Sequence, residues 1–202
     1  MKRPAFVYLA SQSPRRRDLL AQMGVACELL LPDANEDAES LERVLPGESP
    51  RRYVERVTVL KFEAALARLK HRGLPAAPVL CADTTVALGR QILGKPDTPQ
   101  HARDMLSQLS HQTHRVLTAV VVGTSRRRVH ECSVSHVQFA SWTPKQIQRY
   151  VDSGEPMGKA GAYAIQGRAS AYIAGIRGSY SGIMGLPLFE TARALRQFGF
   201  EV

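Results

Sequence analysis

Four times along this chain a hydroxyl residue stands directly before a proline at the start of a periodic apolar stretch: Ser13-Pro14, Ser49-Pro50, Thr98-Pro99 and Thr143-Pro144. Serine and threonine are good helix N-caps. Proline suits the first helical position, because the amide it lacks would find no partner there. Each pair therefore predicts a helix start, and Gln146 adds a capping box to the fourth. The first helix carries Leu19, Leu20 and Met23 on its apolar face. The others are expected over residues 50 to about 69, 99 to about 109, and 144 to about 153. A last helix is expected over 188–198, entered through a loop spanning 178–187.

Short apolar runs between these helices read as strands, at residues 6–10, 27–31, 79–82 and 173–176. Val86-Ala87-Leu88 and Gln91-Ile92-Leu93 flank Gly89-Arg90, which predicts a hairpin on a two-residue turn. Residues 115–123 and 129–139 form a longer antiparallel hairpin whose tip, Thr124-Ser125-Arg126-Arg127-Arg128, is expected in solvent. Alternating helices and strands with an antiparallel hairpin among them predict an α/β fold: a mixed twisted sheet with flanking helices and a deep cleft lined by strand-to-loop ends. A length of 202 residues fits a single domain over 1–202, built as two closely joined lobes around that cleft.

The net charge of +9 implies acidic partners such as nucleotides, nucleic acid or an anionic surface. No run approaches a membrane span, and the apolar segment after Met1-Lys2-Arg3-Pro4 is too short for a signal peptide. A cytoplasmic protein is expected. Cys27, Cys81 and Cys132 are too scattered for a disulfide framework or zinc site and read as buried, inert thiols. The six histidines show no ligand spacing, and His111 and His114 read as turn residues.

Candidate site residues fall at the ends of these elements. The free amides and positive dipole end of the first helix favour an anion. Arg15, Arg16 and Arg17 add guanidinium forks that match phosphate oxygens. The alternative is a solvated basic first turn, which the opposing helix dipole disfavours. Residues 32–48 form a polar loop carrying Asp33, Glu36, Asp37 and Glu39, the one acidic segment in a basic chain and a source of a metal ligand. Lys61 either reaches inward or snorkels at the surface. Asp83 follows an apolar run, and either presents a carboxylate at the sheet edge or caps a turn. Gly89 to Lys95 has the spacing of a phosphate-binding Walker loop, but Pro96 stands where a hydroxyl should hold magnesium and Ile92-Leu93 make the interior apolar. That reading is excluded, leaving Lys95 as a lone charge toward a phosphate. Small residues around Tyr163 and Gln166 imply close backbone approach to a ligand, or tight strand crossing.

With these residues in view, the chain resembles the Maf family of nucleoside triphosphate pyrophosphatases nearly end to end. The resemblance is carried by Leu9-Ala-Ser-Gln-Ser-Pro-Arg-Arg16, Ala82-Asp-Thr-Thr-Val86 with Gly94-Lys-Pro96, Lys159-Ala-Gly-Ala-Tyr-Ala-Ile-Gln-Gly167, and Gly178-Ser-Tyr180 with Gly185-Leu-Pro-Leu188. It implies an inosine-triphosphatase-like fold and metal-dependent hydrolysis between the α and β phosphates of a nucleoside triphosphate, with magnesium, manganese or cobalt. It also implies a homodimer. Asp83 corresponds to the family's proton acceptor, and Arg15, Thr84 and Gln166 to its substrate-selecting positions. Those three match the branch acting on dTTP and UTP, whereas the 7-methyl-GTP branch carries Trp, Gln and Glu there. His111 departs from the family at a usual glycine, Gly158 at a usual acidic residue, and Arg168 is bulky after Gly167.

Read chemically, Asp83 would deprotonate water or hold the metal, and Glu36 is either a second metal-side carboxylate or a solvated loop charge. Ser13 lies in the anion seat, and Arg15, Arg16, Lys61 and Lys95 would neutralise the triphosphate. Gln166 offers a donor and an acceptor to the edge of uracil or thymine, or else ties a tight loop. A competing reading is a nucleic-acid-binding or cell-division regulatory protein, for which no helix-turn-helix signature or basic-aromatic platform is present.

Overall fold

The computed structural model describes residues 5–33, 36 and 40–202, so Asp37 and Glu39 of the acidic loop lie outside the described residues. The chain opens with β1 (Val7–Leu9), α1 (Pro14–Gln22) and β2 (Cys27–Leu29), followed by the long α2 (Pro50–His71). Next come β3 (Val79–Leu88), β4 (Gln91–Leu93), α3 (Pro99–Leu109), β5 (Thr113–Gly123) and β6 (Arg128–Phe139). α4 (Pro144–Asp152), β7 (Ile173–Arg177), α5 (Tyr180–Met184) and α6 (Leu188–Arg196) complete it.

All four hydroxyl–proline pairs open helices. Ser49, Thr98 and Thr143 cap as expected, accepting from the amides of Arg52, His101 and Gln146 at 3.3, 3.1 and 3.3 Å. Ser13 differs: its hydroxyl caps nothing, and its amide donates to Ser11 Oγ at 3.2 Å. The segment expected as a loop after Gly178 contains α5, because Ser179 caps it through the Gly182 amide at 2.9 Å and Gly185, at φ 121°, stops it. His114 is no turn residue but a buried member of β5. Of the cysteines only Cys81 is buried, Cys27 and Cys132 being half-exposed.

The expected mixed sheet with flanking helices is present: seven strands in the order β2-β1-β3-β5-β6-β7, with β4 paired to β3. β2, β1 and β3 run parallel, and every other pairing is antiparallel. The register pairs Asp83 with Ala119 and Thr84 with Thr118. The segment with Walker-loop spacing is the β3–β4 turn and strand, and the Gly94 carbonyl accepts from the Gly161 amide at 3.0 Å.

Strand alternation sorts β3 and β5 onto two faces. Val79, Cys81 and Val121 pack under Phe62 and Ala65 of α2, and Ala87, Leu117 and Ala119 under its Val54 and Val57. On the other face Leu80, Ala82, Val120 and Val122 meet Leu19 and Leu20 of α1 and Leu195 of α6. Farther along that face Val86 and Val116 join Met105, Leu106 and Leu109 of α3, Ile147 of α4, and Tyr163. Each fully buried leucine or phenylalanine stabilises this arrangement by roughly 1.5–3 kcal/mol.

One gap in the sheet creates the site. β1 pairs β3 only at Val79 and Leu80, and β4 rejoins that edge only at Val86. Between them Ala82, Asp83, Thr84 and Thr85 line open space. Adjacent residues there point to opposite faces, so Asp83 looks toward α2 while Thr84 looks toward α1 and α5.

Candidate active site

The gap opens into a cleft of about 1000 Å³, large enough for a nucleotide. Ser13, Arg15, Arg16, Glu36, Lys61, Asp83, Thr84, Lys95 and Gln166 all line it. Residues separated by more than 150 positions therefore meet in one cavity. Glu42, Tyr53, Arg68 and Lys159 line it too, and none was singled out from sequence.

On the α2 wall, Lys61 turns inward. Its Nζ lies 2.5 Å from Asp83 Oδ1 and 2.7 Å from Glu42 Oε1, while Lys95 reaches the other oxygen of Glu42 at 2.8 Å. Burial works against the Lys61 ammonium, but Asp83 and then Glu42 outweigh it and hold its pKa above the ordinary lysine value. Burial likewise works against the Glu42 carboxylate, and Lys61 with Lys95 brings its pKa below normal. The Tyr53 hydroxyl donates to the Glu42 carbonyl at 2.9 Å, which fixes this residue against α2.

Glu36 lines the cleft, but both its oxygens go to Arg68, at 2.8 and 2.5 Å. That fork holds its pKa down at about 2. It is thus paired with a guanidinium rather than solvated, and Glu42 shares Lys61 with Asp83. Among the described residues no group of three or more histidine, cysteine or acidic side chains is gathered for a metal. Two carboxylates completed by phosphate oxygens are nonetheless the habit of magnesium sites, and Asp83 with Glu42 fits that donor set.

The opposite wall shows what holds Arg16, expected from the sequence to neutralise the triphosphate, at the cleft surface. Its guanidinium donates to the Gly185 carbonyl at 2.8 Å, to Ser11 Oγ at 3.0 Å and to Thr84 Oγ1 at 3.4 Å. Thr84 is also 3.0 Å from Thr118 Oγ1, which donates to the Gly182 carbonyl at 2.7 Å. Arg16 thus knits α1 to β3 and α5 and shapes the wall. Arg15 has no hydrogen-bond partner among the described residues, and Lys159 donates only to the Glu155 carbonyl, at 2.5 Å. Burial, then Arg15, depresses the Lys159 pKa. The cleft is therefore polarised, with carboxylate-paired cations on the α2 wall and, at the mouth of α1, Arg15 and Lys159, which form no ion pair among the described residues. Gln166 stands exposed at its rim.

A mixed α/β sheet interrupted at one strand edge, with a carboxylate and, among the described residues, cations outside any ion pair around the gap, is a cleft with the charge to receive a polyanion. The Maf-like protein family model matches residues 6–198, and the chain belongs to the Maf family. A dTTP/UTP pyrophosphatase of Albidiferax ferrireducens is 65% identical over 197 residues, covering 98% of both chains. One of Cupriavidus metallidurans is 62% identical over 195 residues, covering 96% of this chain and 98% of the relative. Among solved structures, the Staphylococcus aureus Ham1 protein aligns at 13% identity and a TM-score of 0.43, over 66% of this chain and 71% of that one. So slight a likeness adds nothing to the family assignment. No helix among the described residues is long and apolar enough to cross a membrane.

Proposed function

We propose that this chain hydrolyses dTTP and UTP to the nucleoside monophosphate and pyrophosphate. The observation that carries the reading is Asp83, held by Lys61 at the open edge of β3 and facing a cleft with unpaired cations on its far side. Relatives named for this activity share more than 60% of their residues with it over nearly their full length.

Cleaving a phosphoanhydride is chiefly a matter of positioning and charge neutralisation. Asp83 accepts the proton of the attacking water, and Lys61 keeps that carboxylate in place. Arg15 and Lys159, with Ser13 and the first amides of α1, receive the pyrophosphate charge. Lys95 neutralises a further phosphate oxygen. Gln166 presents an acceptor and a donor to the imide edge of uracil or thymine, and Thr84 borders the same space. Asp83 and Glu42 would hold a divalent cation (magnesium, manganese or cobalt), which would supply charge neutralisation to the triphosphate. The reading includes a cytoplasmic homodimer.

The test is a panel of dTTP, UTP, CTP and 7-methyl-GTP with each metal, scored by pyrophosphate release. Turnover of dTTP and UTP well above 7-methyl-GTP supports the reading. No turnover of any pyrimidine triphosphate, or salt-sensitive DNA binding in its place, sinks it.

A further inference from the structure

Gln166 is exposed and carries a flexible side chain, yet the backbone beneath it is gripped on both sides. It sits at the corner of a turn closed by the Gly167 amide on the Ala164 carbonyl at 3.1 Å, with Ile165 buried in the core. Two residues before it, the Ala164 amide donates to the Tyr150 hydroxyl at 3.4 Å. Two residues after it, the Arg168 amide donates to Glu155 Oε2 at 3.2 Å. Tyr150 and Glu155 are themselves joined, the phenol donating to Glu155 Oε1 at 2.9 Å.

The directions of these bonds follow from the groups. A carboxylate only accepts, so the phenol must donate to it, which leaves the phenol oxygen free to accept from Ala164. Tyr150 is 4% exposed and packs edge-on against Trp142, so the clamp stands on α4. Gly167 belongs to the same construction. A Cβ there would lie 2.0 Å from Glu155 Oε1, so only glycine lets the turn approach the carboxylate this closely.

We propose that Tyr150 and Glu155 are positioning residues that hold the 164–168 turn so that Gln166 meets the pyrimidine base in one fixed pose. The proposal rests on the reading of Gln166 as a base contact. Neither residue needs to touch the substrate. Their work is to spare Gln166 the cost of ordering its backbone on binding.

The test is a double-mutant cycle on UTP hydrolysis with Tyr150→Phe, Glu155→Gln, Gln166→Ala, and each clamp variant combined with Gln166→Ala. Tyr150→Phe and Glu155→Gln are each expected to raise KM about tenfold, the scale of one lost hydrogen bond, with kcat within about twofold. In the Gln166→Ala background neither is expected to raise KM further. If Gln166→Ala raises KM and the clamp variants do not, or if they raise it equally in both backgrounds, the positioning role is overturned while the base contact stands. If Gln166→Ala leaves KM unaltered, the base contact itself is wrong and the proposal falls with it. Should Tyr150→Phe not fold, Glu155→Gln, nearly unchanged in size, completes the same cycle.

Discussion

Lys61 on α2 and Asp83 on β3 form an ion pair, Nζ to Oδ1, at 2.5 Å. Both side chains are mostly shielded from solvent, at 21% and 11% exposure, so the contact is worth more than a surface pair. It also aims the carboxylate. Removing the lysine by Lys61→Met leaves Asp83 and Glu42 facing each other with no cation between them. UTP turnover should then fall about 100-fold, the scale of losing one fixed charge-stabilising donor. Lys61→Arg should recover part of it. Steady-state kinetics check this, and activity within twofold of the parent would contradict the assigned role.

Glu42 bridges Lys61 and Lys95 with its two oxygens, at 2.7 and 2.8 Å. If it shares a divalent cation with Asp83, Glu42→Gln should raise the magnesium concentration for half-maximal activity by about tenfold or more. A magnesium titration of both proteins measures this. Unchanged metal demand would confine Glu42 to holding the two lysines.

His111 occupies the left-handed region at φ 59°, where a side chain is strained. Its ring is exposed and its one side-chain contact, with Ser141 Oγ, is long at 3.4 Å. His111→Gly is therefore expected to stabilise the protein by up to about 1 kcal/mol. The difference in urea midpoints at constant slope reports it, and a clear destabilisation would show that the ring contact outweighs the strain.

His114 donates to or accepts from the Tyr163 hydroxyl at 2.8 Å, and burial pushes its pKa from 6.5 down to about 4. Between those values the unfolded chain binds a proton that the native one refuses, so stability declines as pH falls through this window. Unfolding free energies at pH 7 and pH 5 should differ in the native protein and differ less in His114→Asn. Glu36, whose folded pKa is depressed to about 2, loses its contribution only at lower pH, as its carboxylate protonates. An equal slope in both proteins would place the effect elsewhere.

Helix starts were legible because capping is local: Thr143, Pro144 and Gln146 state the whole construction within four residues. Asp83 was legible because an apolar strand running into an acid leaves few other places for the charge. Glu42 was not, since its two partners lie 19 and 53 residues away and nothing periodic marks it within an acidic loop. The wall contacts of Arg16 were hidden for a related reason. The sequence shows three arginines in a row, but not that one of them would also donate to the Gly185 carbonyl, 169 residues on. The Tyr150–Glu155 clamp is hidden in the same way, because its receiving groups are backbone amides that every sequence carries. Only the small residues around Tyr163 and Gln166, Gly167 among them, hinted at close approach.

The measurement that bears most directly on the account is ³¹P NMR of dTTP and UTP incubated with magnesium and the native protein, beside Asp83→Asn. The native protein should convert both nucleotides to monophosphate and pyrophosphate, and Asp83→Asn, equally folded, should be slower by about 10²–10⁴-fold, as expected for loss of a general base. Release of orthophosphate with a diphosphate, or undiminished turnover by Asp83→Asn, would contradict it.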